Sequence, residues 1–510
     1  MLGKPYYITT AISYPNGKPH IGHAYEAIAA DAIARFHRLA GRDVRFQTGT
    51  DEHGLKMVQT ARDKGVDVRD LSREMSNEFQ AMCDKLNISY DVFQRTTDPG
   101  HHRASVALWE AMQANGDLYL DRYEGWYSVR DEAYYDDKEL IEGEGGLRLS
   151  PQGTPVEWTV EESWFFKLSK YEKPLLDHYK NEPEFIRPES RRNEVVRFVE
   201  GGLRDLSVSR SSFDWGVKVP GAPDHVMYVW VDALTNYLTG LGYPDDSQDM
   251  RYWPASLHLI GKDIVRFHAV YWPAFLLSAG LPLPKQVFGH GFLLHRGEKM
   301  SKSVGNVVDP IALADAFGVD ALRYFLLREV SFGNDGSYSE EAIVTRCNAD
   351  LANNFGNLGQ RCLSIIAKSC GGRVPDHAAS DERDYALLVE IEKLAATADF
   401  QVENNLDLAG ALQTIWEGMS ITNQYFAEQA PWSLRKSDPE RADTVLYYAA
   451  EALRRLAIMA YWAIPAGCTQ MLALLGRNAP TDRNERFALL VPGEVLPAPS
   501  GVFPRLELAA

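Results

Sequence analysis

The run Tyr6-Tyr7-Ile8-Thr9-Thr10-Ala11-Ile12-Ser13 leads into Tyr14-Pro15-Asn16-Gly17-Lys18-Pro19 and then His20-Ile21-Gly22-His23, and this succession decides the fold. The first run is β-branched and aromatic, the pattern of a strand. The Pro- and Gly-containing cluster after it is a turn. Beyond the turn, Ile21, Ala24, Ile28, Ala32, Phe36 and Leu39 recur at helical spacing, and Val44 to Thr48 reads as a second strand. Strand, helix and strand in that order predict a parallel sheet. Such a sheet carries its site in the loops at the strand C-termini.

The alternation resumes downstream. Tyr228-Val229-Trp230-Val231 and Leu257-His258-Leu259-Ile260 read as strands, and a helix is expected from Asp263 to Gly280, with Pro282 beyond it. From Asp117 to about Pro220 the texture differs. Short aromatic strands (Gly125 to Ser128, Val156-Glu157-Trp158) surround a Gly-rich hairpin at Gly143 to Gly146, which predicts an α+β insertion. From about residue 340 the pattern is almost wholly helical, with joints at Gly371-Gly372 and Ser437-Asp438-Pro439. The expected architecture is α/β: a Rossmann-like parallel sheet with an α+β insertion, then an all-α helical bundle.

The 510 residues, 45% hydrophobic and 24% charged, exclude a disordered or fibrous chain and suggest several folding units. Lys and Arg total 53 against 70 Asp and Glu, a net charge of −17. That argues against a surface binding nucleic acid non-specifically, but not against a local basic groove. Cys83, Cys347, Cys362, Cys370 and Cys468 form no Cys-x-x-Cys pair, so neither a disulfide framework nor a thiolate zinc knuckle is expected. The N-terminus runs into a strand without the apolar core of a signal peptide. The longest apolar run, Leu456 to Cys468, contains Pro465 and falls short of the ~20 residues that span a bilayer. A cytoplasmic location without membrane contact is expected.

Two motifs carry chemistry. His20 and His23 lie three apart at a helix start, where free backbone amides favour anions, and Gly22 between them allows close backbone approach. Lys299-Met300-Ser301-Lys302-Ser303, flanked by Gly297 and Gly305, suits a clamp on phosphate oxygens. Taken singly, the first also fits surface histidines and the second a solvated basic loop. Together they leave little room for chance.

This pair resembles the two signatures of class I aminoacyl-tRNA synthetases. Thr50-Asp51-Glu52-His53-Gly54, Arg204 to Arg210, Asp214-Trp215-Gly216, Tyr228 to Ala233 and Gly261 to His268 narrow the resemblance to the methionyl-tRNA synthetase family, over essentially the whole chain. The resemblance implies ligation of L-methionine to tRNA through an adenylate formed from ATP with Mg2+. It makes His20, His23, Lys299 and Lys302 catalytic, and Gly22, Glu26, Gly261, Asp263, Lys299, Ser301 and Lys302 the ATP contacts. For methionine it implies Asp51 against the ammonium group. The pocket wall would come from Ala11, Ile12, Tyr14, Trp230, Ala233, Leu234, Tyr237, Ile264, Phe267, His268 and Trp272. An aromatic stripe of this kind also fits plain core. In the helical region Asn357, Arg361 and Trp432 resemble the anticodon-reading set, for a methionine tRNA including the initiator. The implied division is residues 1–116 and 226–295 for the two halves of the catalytic domain and 117–225 for the insertion. Residues 296–352 then form the lysine loop and stem-contact region, and 353–510 the anticodon-binding domain.

The chain departs from the family in two places. Ser128 follows Trp126-Tyr127 where many members carry a cysteine, and no cysteine lies in the insertion, so no zinc or other resident metal is expected. No appended tRNA-binding barrel follows the helical region, so a monomer is expected. The alternatives are another class I synthetase, whose editing insertion is usually much larger than about 100 residues, or a His-x-Gly-His nucleotidyltransferase that uses no tRNA. The latter needs no second, helical domain. The lysine clamp generates the first prediction. Lys302→Ala should lower the rate of amino-acid activation about 10²–10³-fold, the scale for one preorganised charge donor, with methionine binding nearly unchanged. Normal single-turnover activation would remove the clamp role.

Overall fold

The computed structural model describes residues 3–131, 133–295, 297–299 and 307–508. Its centre is a six-stranded, wholly parallel sheet. The strands are β1 (Pro5–Thr10), β2 (Asp43–Thr50), β3 (Val92–Arg95), β4 (Ile186–Arg187), β5 (Leu257–Gly261) and β6 (Val287–His290), in spatial order β3-β2-β1-β5-β6-β4. Strand β1 pairs with β2 on one side and with β5 on the other, Thr9 opposite His258. The order therefore reverses between β1 and β5, which opens a crevice at their C-terminal ends.

Strand β1 is covered on both faces, and its residues divide between two cores by the alternation of a strand. Ile8 joins the cluster around helix α1 (Ile21–Leu39), and Tyr7 joins the cluster with Phe166 and Tyr237. On α1 the buried face is largely alanine (Ala24, Ala27, Ala30, Ala34), so the helix lies close on the sheet. The insertion is built on a long antiparallel pair, Leu118–Ser128 with Glu157–Phe166, and the Gly143 to Gly146 segment turns between two paired short strands as expected.

One sequence reading is corrected. Tyr228 to Val231 is no strand: Tyr228 caps helix α2 (Val229–Thr239), buried on every side from Val231 to Leu238. Four apolar residues cannot separate a buried strand from a buried helix, because neither shows polar periodicity. The helix expected after Asp263 is present but irregular. A short 3-10 turn (Lys262–Ile264) passes into a wider π turn (Phe267–Tyr271) and then Trp272–Ser278.

Helix α3 (Val319–Glu329) joins the sheet to the helical region, where α4 (Pro439–Ala460) is buried along most of its length and α5 (Pro465–Leu474) follows it. The core runs through without a break: Ile28 of α1, Phe325 of α3 and Leu453 of α4 belong to one buried cluster. Arg323 of α3 is wholly buried within it. Its guanidinium binds Asp31 of α1 at 2.6 Å, the Ala463 carbonyl at 2.9 Å and the Leu86 carbonyl at 3.2 Å. Burial alone would raise the Asp31 pKa. Arg323, Arg35 and two hydrogen bonds from Ser89 outweigh burial and hold the pKa below the usual value. The pair is therefore ionised at neutral pH and fails only in acid, once Asp31 takes a proton. Arg323→Met should destabilise the fold by roughly 3–5 kcal/mol, because it strands a buried carboxylate and two carbonyls. Denaturant unfolding monitored by circular dichroism measures this, and a loss below about 1 kcal/mol would contradict the assigned role.

Candidate active site

The crevice between β1 and β5 is a cleft of about 520 Å³. Helix α1 begins at its floor, and its start is capped by its own histidines. His20 Nδ1 accepts the Gly22 N–H at 3.1 Å, and His23 Nδ1 accepts the His20 N–H at 3.1 Å, a reciprocal capping box. The two rings stack with centroids 3.7 Å apart. An Nδ1 that accepts leaves the imidazole proton on Nε2, so each ring is a donor there. A Cβ on Gly22 would lie 3.0 Å from the His20 ring, so any side chain there would crowd the ring on which the cap depends.

Beside α1, His290 Nε2 lies 2.8 Å from Glu26 Oε2, and His290 Nδ1 lies 2.8 Å from the Gly291 carbonyl. Both partners are acceptors, so the ring holds both protons. Burial would lower its pKa, but the hydrogen bond and charge of Glu26 outweigh burial and raise it. At the end of β5, a Cβ on Gly261 would meet Asp263 Oδ1 at 2.7 Å, so the glycine lets that carboxylate fold back over the strand end.

The other end of the cleft is apolar and aromatic. Trp230 and Phe267 stack face to face at 3.8 Å. His268 lies in the π turn, its Nδ1 3.1 Å from the Ile264 carbonyl and its Nε2 2.6 Å from the Tyr237 hydroxyl. The carbonyl can only accept, so Nδ1 carries the proton and Nε2 accepts from Tyr237. Burial pushes the His268 pKa down to about 4, which keeps the ring neutral. Behind this wall Trp272 Nε1 donates to His258 Nε2 at 3.3 Å, and His258 Nδ1 bonds Thr9 Oγ1 at 2.7 Å.

Asp51 directly follows β2 at the cleft, and the residues after it are clamped. Glu52 takes two bonds from Arg95, at 2.6 and 3.0 Å, and one from Thr97 at 2.7 Å. His53 Nδ1 is 2.7 Å from Asp232 Oδ2, and His101 Nε2 is 2.7 Å from Asp232 Oδ1. Burial alone would raise the Asp232 pKa, but these two histidines hold it far below the usual range. The network ties β2 to α2, so Asp51 and the aromatic wall keep one relative position.

The structure brings together most of the residues singled out in the sequence. His20, Gly22, His23, Glu26, Gly261 and Asp263 line one end of the cleft. Ala11, Ile12, Tyr14, Asp51, Trp230, Ala233, Leu234, Tyr237, Ile264, Phe267 and His268 line the rest. Trp272 is different: it is wholly buried behind the wall, because the wide π turn breaks the helical period on which its inclusion rested. Lys299 belongs to a short strand, Glu298–Lys299, paired with Leu293–His295, while Ser301 and Lys302 lie outside the described residues. Sequence reasoning missed Asn16, Lys56, His290, Arg130, Asp131 and Gln152, all of which line the cleft. His290, at a strand end before Gly291, carried a usable signal. The last three come from the insertion and carried none. Far from the cleft, the Arg361 guanidinium lies 5.3 Å from the Trp432 ring centroid, and Trp432 is 43% exposed. Asn357, also exposed, is one turn earlier on the helix of Arg361.

Comparison with known proteins matches residues 6–146 and 148–363 to the family described as tRNA synthetases class I (M). Residues 374–509 match the anticodon binding domain of methionyl tRNA ligase. The chain is 57% identical to the methionine–tRNA ligase of Brucella suis biovar 1, covering 99% of this chain and 98% of that one. The figures for the Mycobacterium bovis enzyme are the same, 57%, 99% and 98%. Among solved structures, Mycobacterium tuberculosis methionyl-tRNA synthetase in complex with methionyl-adenylate superposes with a TM-score of 0.95 at 57% identity, covering 98% of this chain and 100% of that one. The free-state structure of that protein gives 0.89 at 54% identity, covering 99% of each chain.

The geometry at His268 fixes a pH dependence. In the unfolded chain this ring takes its proton near 6.5, and in the folded chain at about 4. Between those values the unfolded state binds more protons, so stability falls as pH is lowered. NMR titration of the His268 ring should give a midpoint near 4. A midpoint of about 6 or above, the ordinary histidine range, would show that the neutral tautomer is not locked.

Proposed function

The chain belongs to the methionyl-tRNA synthetase family of class I tRNA synthetases, and from that premise we propose which of its residues carry each step. It is a methionine–tRNA ligase. ATP and L-methionine give methionyl-adenylate and pyrophosphate, and the methionyl group then passes to tRNA with release of AMP. Another class I specificity, or a nucleotidyltransferase without tRNA, is not favoured: both matched families carry the methionyl assignment, one over the sheet and one over the helical region.

The observation that carries the residue assignment is one cleft lined both by the two stacked imidazoles at the start of α1 and by a neutral aromatic wall with Asp51 beside it. Methionine's carboxylate is already ionised at neutral pH, so its attack on the α-phosphorus of ATP needs no general base. Catalysis then rests on positioning and on stabilising phosphoryl charge. The Nε2–H groups of His20 and His23 face the phosphoryl oxygens, while the first amides of α1 are taken up by the cap and by the Val308 carbonyl. Gly22, Glu26, Gly261 and Asp263 hold adenosine, with Glu26 steadied by His290. Lys299, Ser301 and Lys302 grip the outer phosphates. Mg2+ accompanies ATP and offsets phosphate charge when bound. Among the described residues no cluster of three His, Cys, Asp or Glu suits a metal.

Asp51 pairs with the methionine ammonium group. The thioether packs against Trp230, Tyr237 and His268, whose neutral rings give favourable sulfur–aromatic contact. Ala11, Ile12, Tyr14, Ala233, Leu234, Ile264 and Phe267 complete the pocket, with Trp272 supporting it from behind. Asn357, Arg361 and Trp432 read anticodon bases of methionine tRNA, the initiator included. An exposed indole beside a planar guanidinium offers the stacking platform that an unstacked base needs.

The same reading divides the chain into catalytic halves at 1–116 and 226–295, the insertion at 117–225, the lysine loop and stem-contact region at 296–352 and the anticodon-binding domain at 353–510. It makes the protein a cytoplasmic monomer without structural zinc. Supporting this, no helix among the described residues is long and apolar enough to cross a membrane, and the insertion has no cysteine.

Pyrophosphate exchange into ATP, run with each of the twenty amino acids, tests the pocket. Methionine should give the fastest exchange, and faster exchange with leucine or isoleucine would refute the pocket. Base stacking on an indole is worth roughly 1–3 kcal/mol, so Trp432→Ala should weaken tRNA charging about 10–100-fold. Exchange should be unaffected by the same change. Equal loss of both activities would make Trp432 structural, and loss of neither would place anticodon reading elsewhere.

A further inference from the structure

The insertion meets the catalytic cleft through two turns, one carrying Arg130 and Asp131 and the other carrying Gln152. A buried knot of side chains locks these turns together. Asp131 Oδ2 accepts from Ser150 Oγ at 2.6 Å, Thr154 Oγ1 at 2.5 Å and the Tyr135 hydroxyl at 3.1 Å. Ser128 Oγ bonds Thr154 Oγ1 at 2.7 Å and accepts the Asp131 N–H at 3.2 Å. Ser128, Ser150 and Thr154 are almost wholly buried, so these hydroxyls depend on one another and not on water. Asp131 is thus committed to the knot, and its neighbour Arg130 is carried into the cleft mouth on a fixed turn. Arg130 is exposed, and among the described residues it has no hydrogen-bond or ion-pair partner.

Charge says what it is for. Among the described lining residues the permanent cations are Lys56 and Arg130, set against the carboxylates Glu26, Asp51, Asp131 and Asp263. A polyphosphate entering such a cleft needs every cation placed along it. An unpaired guanidinium presents a planar fork that matches two phosphate oxygens at once. We infer that Arg130 is a further phosphate-binding residue of the reaction, contributed by the insertion and aimed by the Asp131 knot. This rests on the ligase reading above. Two phosphates are chemically equivalent sources: the triphosphate of ATP with the pyrophosphate it releases, and the phosphodiester next to the acceptor end of tRNA.

The test uses the full chain with Arg130→Ala, Arg130→Lys and Asp131→Asn. Two assays separate the sources: methionine-dependent pyrophosphate exchange without tRNA, and single-turnover transfer from preformed methionyl-adenylate to tRNA. A charged hydrogen-bonding contact of this kind predicts about a 10–100-fold loss for Arg130→Ala. If the phosphate is that of ATP, the KM values for ATP and pyrophosphate rise by that factor, KM for methionine is unchanged and Arg130→Lys recovers part of the loss. If it belongs to tRNA, exchange stays normal and transfer falls instead. Normal exchange together with normal transfer in Arg130→Ala overturns the proposal. Asp131→Asn should reproduce the loss in the wild-type background and add nothing on top of Arg130→Ala. An equal further loss in both backgrounds overturns the aiming role. Should the unmutated protein show no methionine-dependent exchange, the ligase reading fails, independently of Arg130.

Discussion

A carboxylate buried in the middle of a helix is the constraint on which the remaining architecture depends. Asp31 sits on α1 with no solvent access and is held by Arg323 from α3, Arg35 from its own helix and Ser89 from the loop before β3. Desolvating two charges is expensive, and only a complete set of hydrogen bonds repays it. Here the guanidinium finds that set by reaching the Leu86 carbonyl on the sheet side and the Ala463 carbonyl past the end of α4. The pair therefore has satisfactory geometry in only one mutual arrangement of α1, α3 and the helical region. One helix turn before Arg323, Asp320 adds a second tie by accepting the Gly467 N–H of α5 at 2.6 Å. The helix that opens at the cleft with His20 and His23 is thus joined rigidly to the bundle that carries Arg361 and Trp432.

Rigid placement of α1 has chemical consequences because its N-terminus lines the cleft. The two histidines satisfy backbone amides with Nδ1, and by doing so they fix which nitrogen carries the proton. The same logic governs the far wall, where the Ile264 carbonyl sets the tautomer of His268 and Tyr237 completes it. The cleft is consequently organised by hydrogen bonds to neutral imidazoles in its aromatic wall and by His290, whose proton is favoured where the Glu26 carboxylate accompanies it. A pocket for an uncharged side chain needs walls that stay uncharged. Burial supplies that condition at His258 and His268.

The overall charge of −17 is compatible with two polyanionic substrates only because charge is local. The cleft carries few permanent cations among its described residues, and its lining combines imidazoles, isolated basic groups and carboxylates.

The sequence alone determined the parallel sheet, the insertion and the helical C-terminal region, because each rests on periodicity over many residues. It also determined the motif residues, since His20, Gly22 and His23 must be contiguous to cap one helix start. Tyr228 to Val231 could not be read correctly, because a helix buried on all sides and a buried strand present the same apolar run. Helical spacing assumes a constant turn, whereas the π turn before Trp272, a residue wholly buried and off the cleft lining, depends on packing. Arg130, Asp131 and Gln152 had no readable signal: they reach the cleft only because hydroxyls from two separate turns close on one carboxylate. The Asp31–Arg323 pair was equally silent, 292 residues apart along the chain. Local chemistry is written in neighbouring residues. Which distant groups come to share a buried charge is decided only when the whole core closes around it.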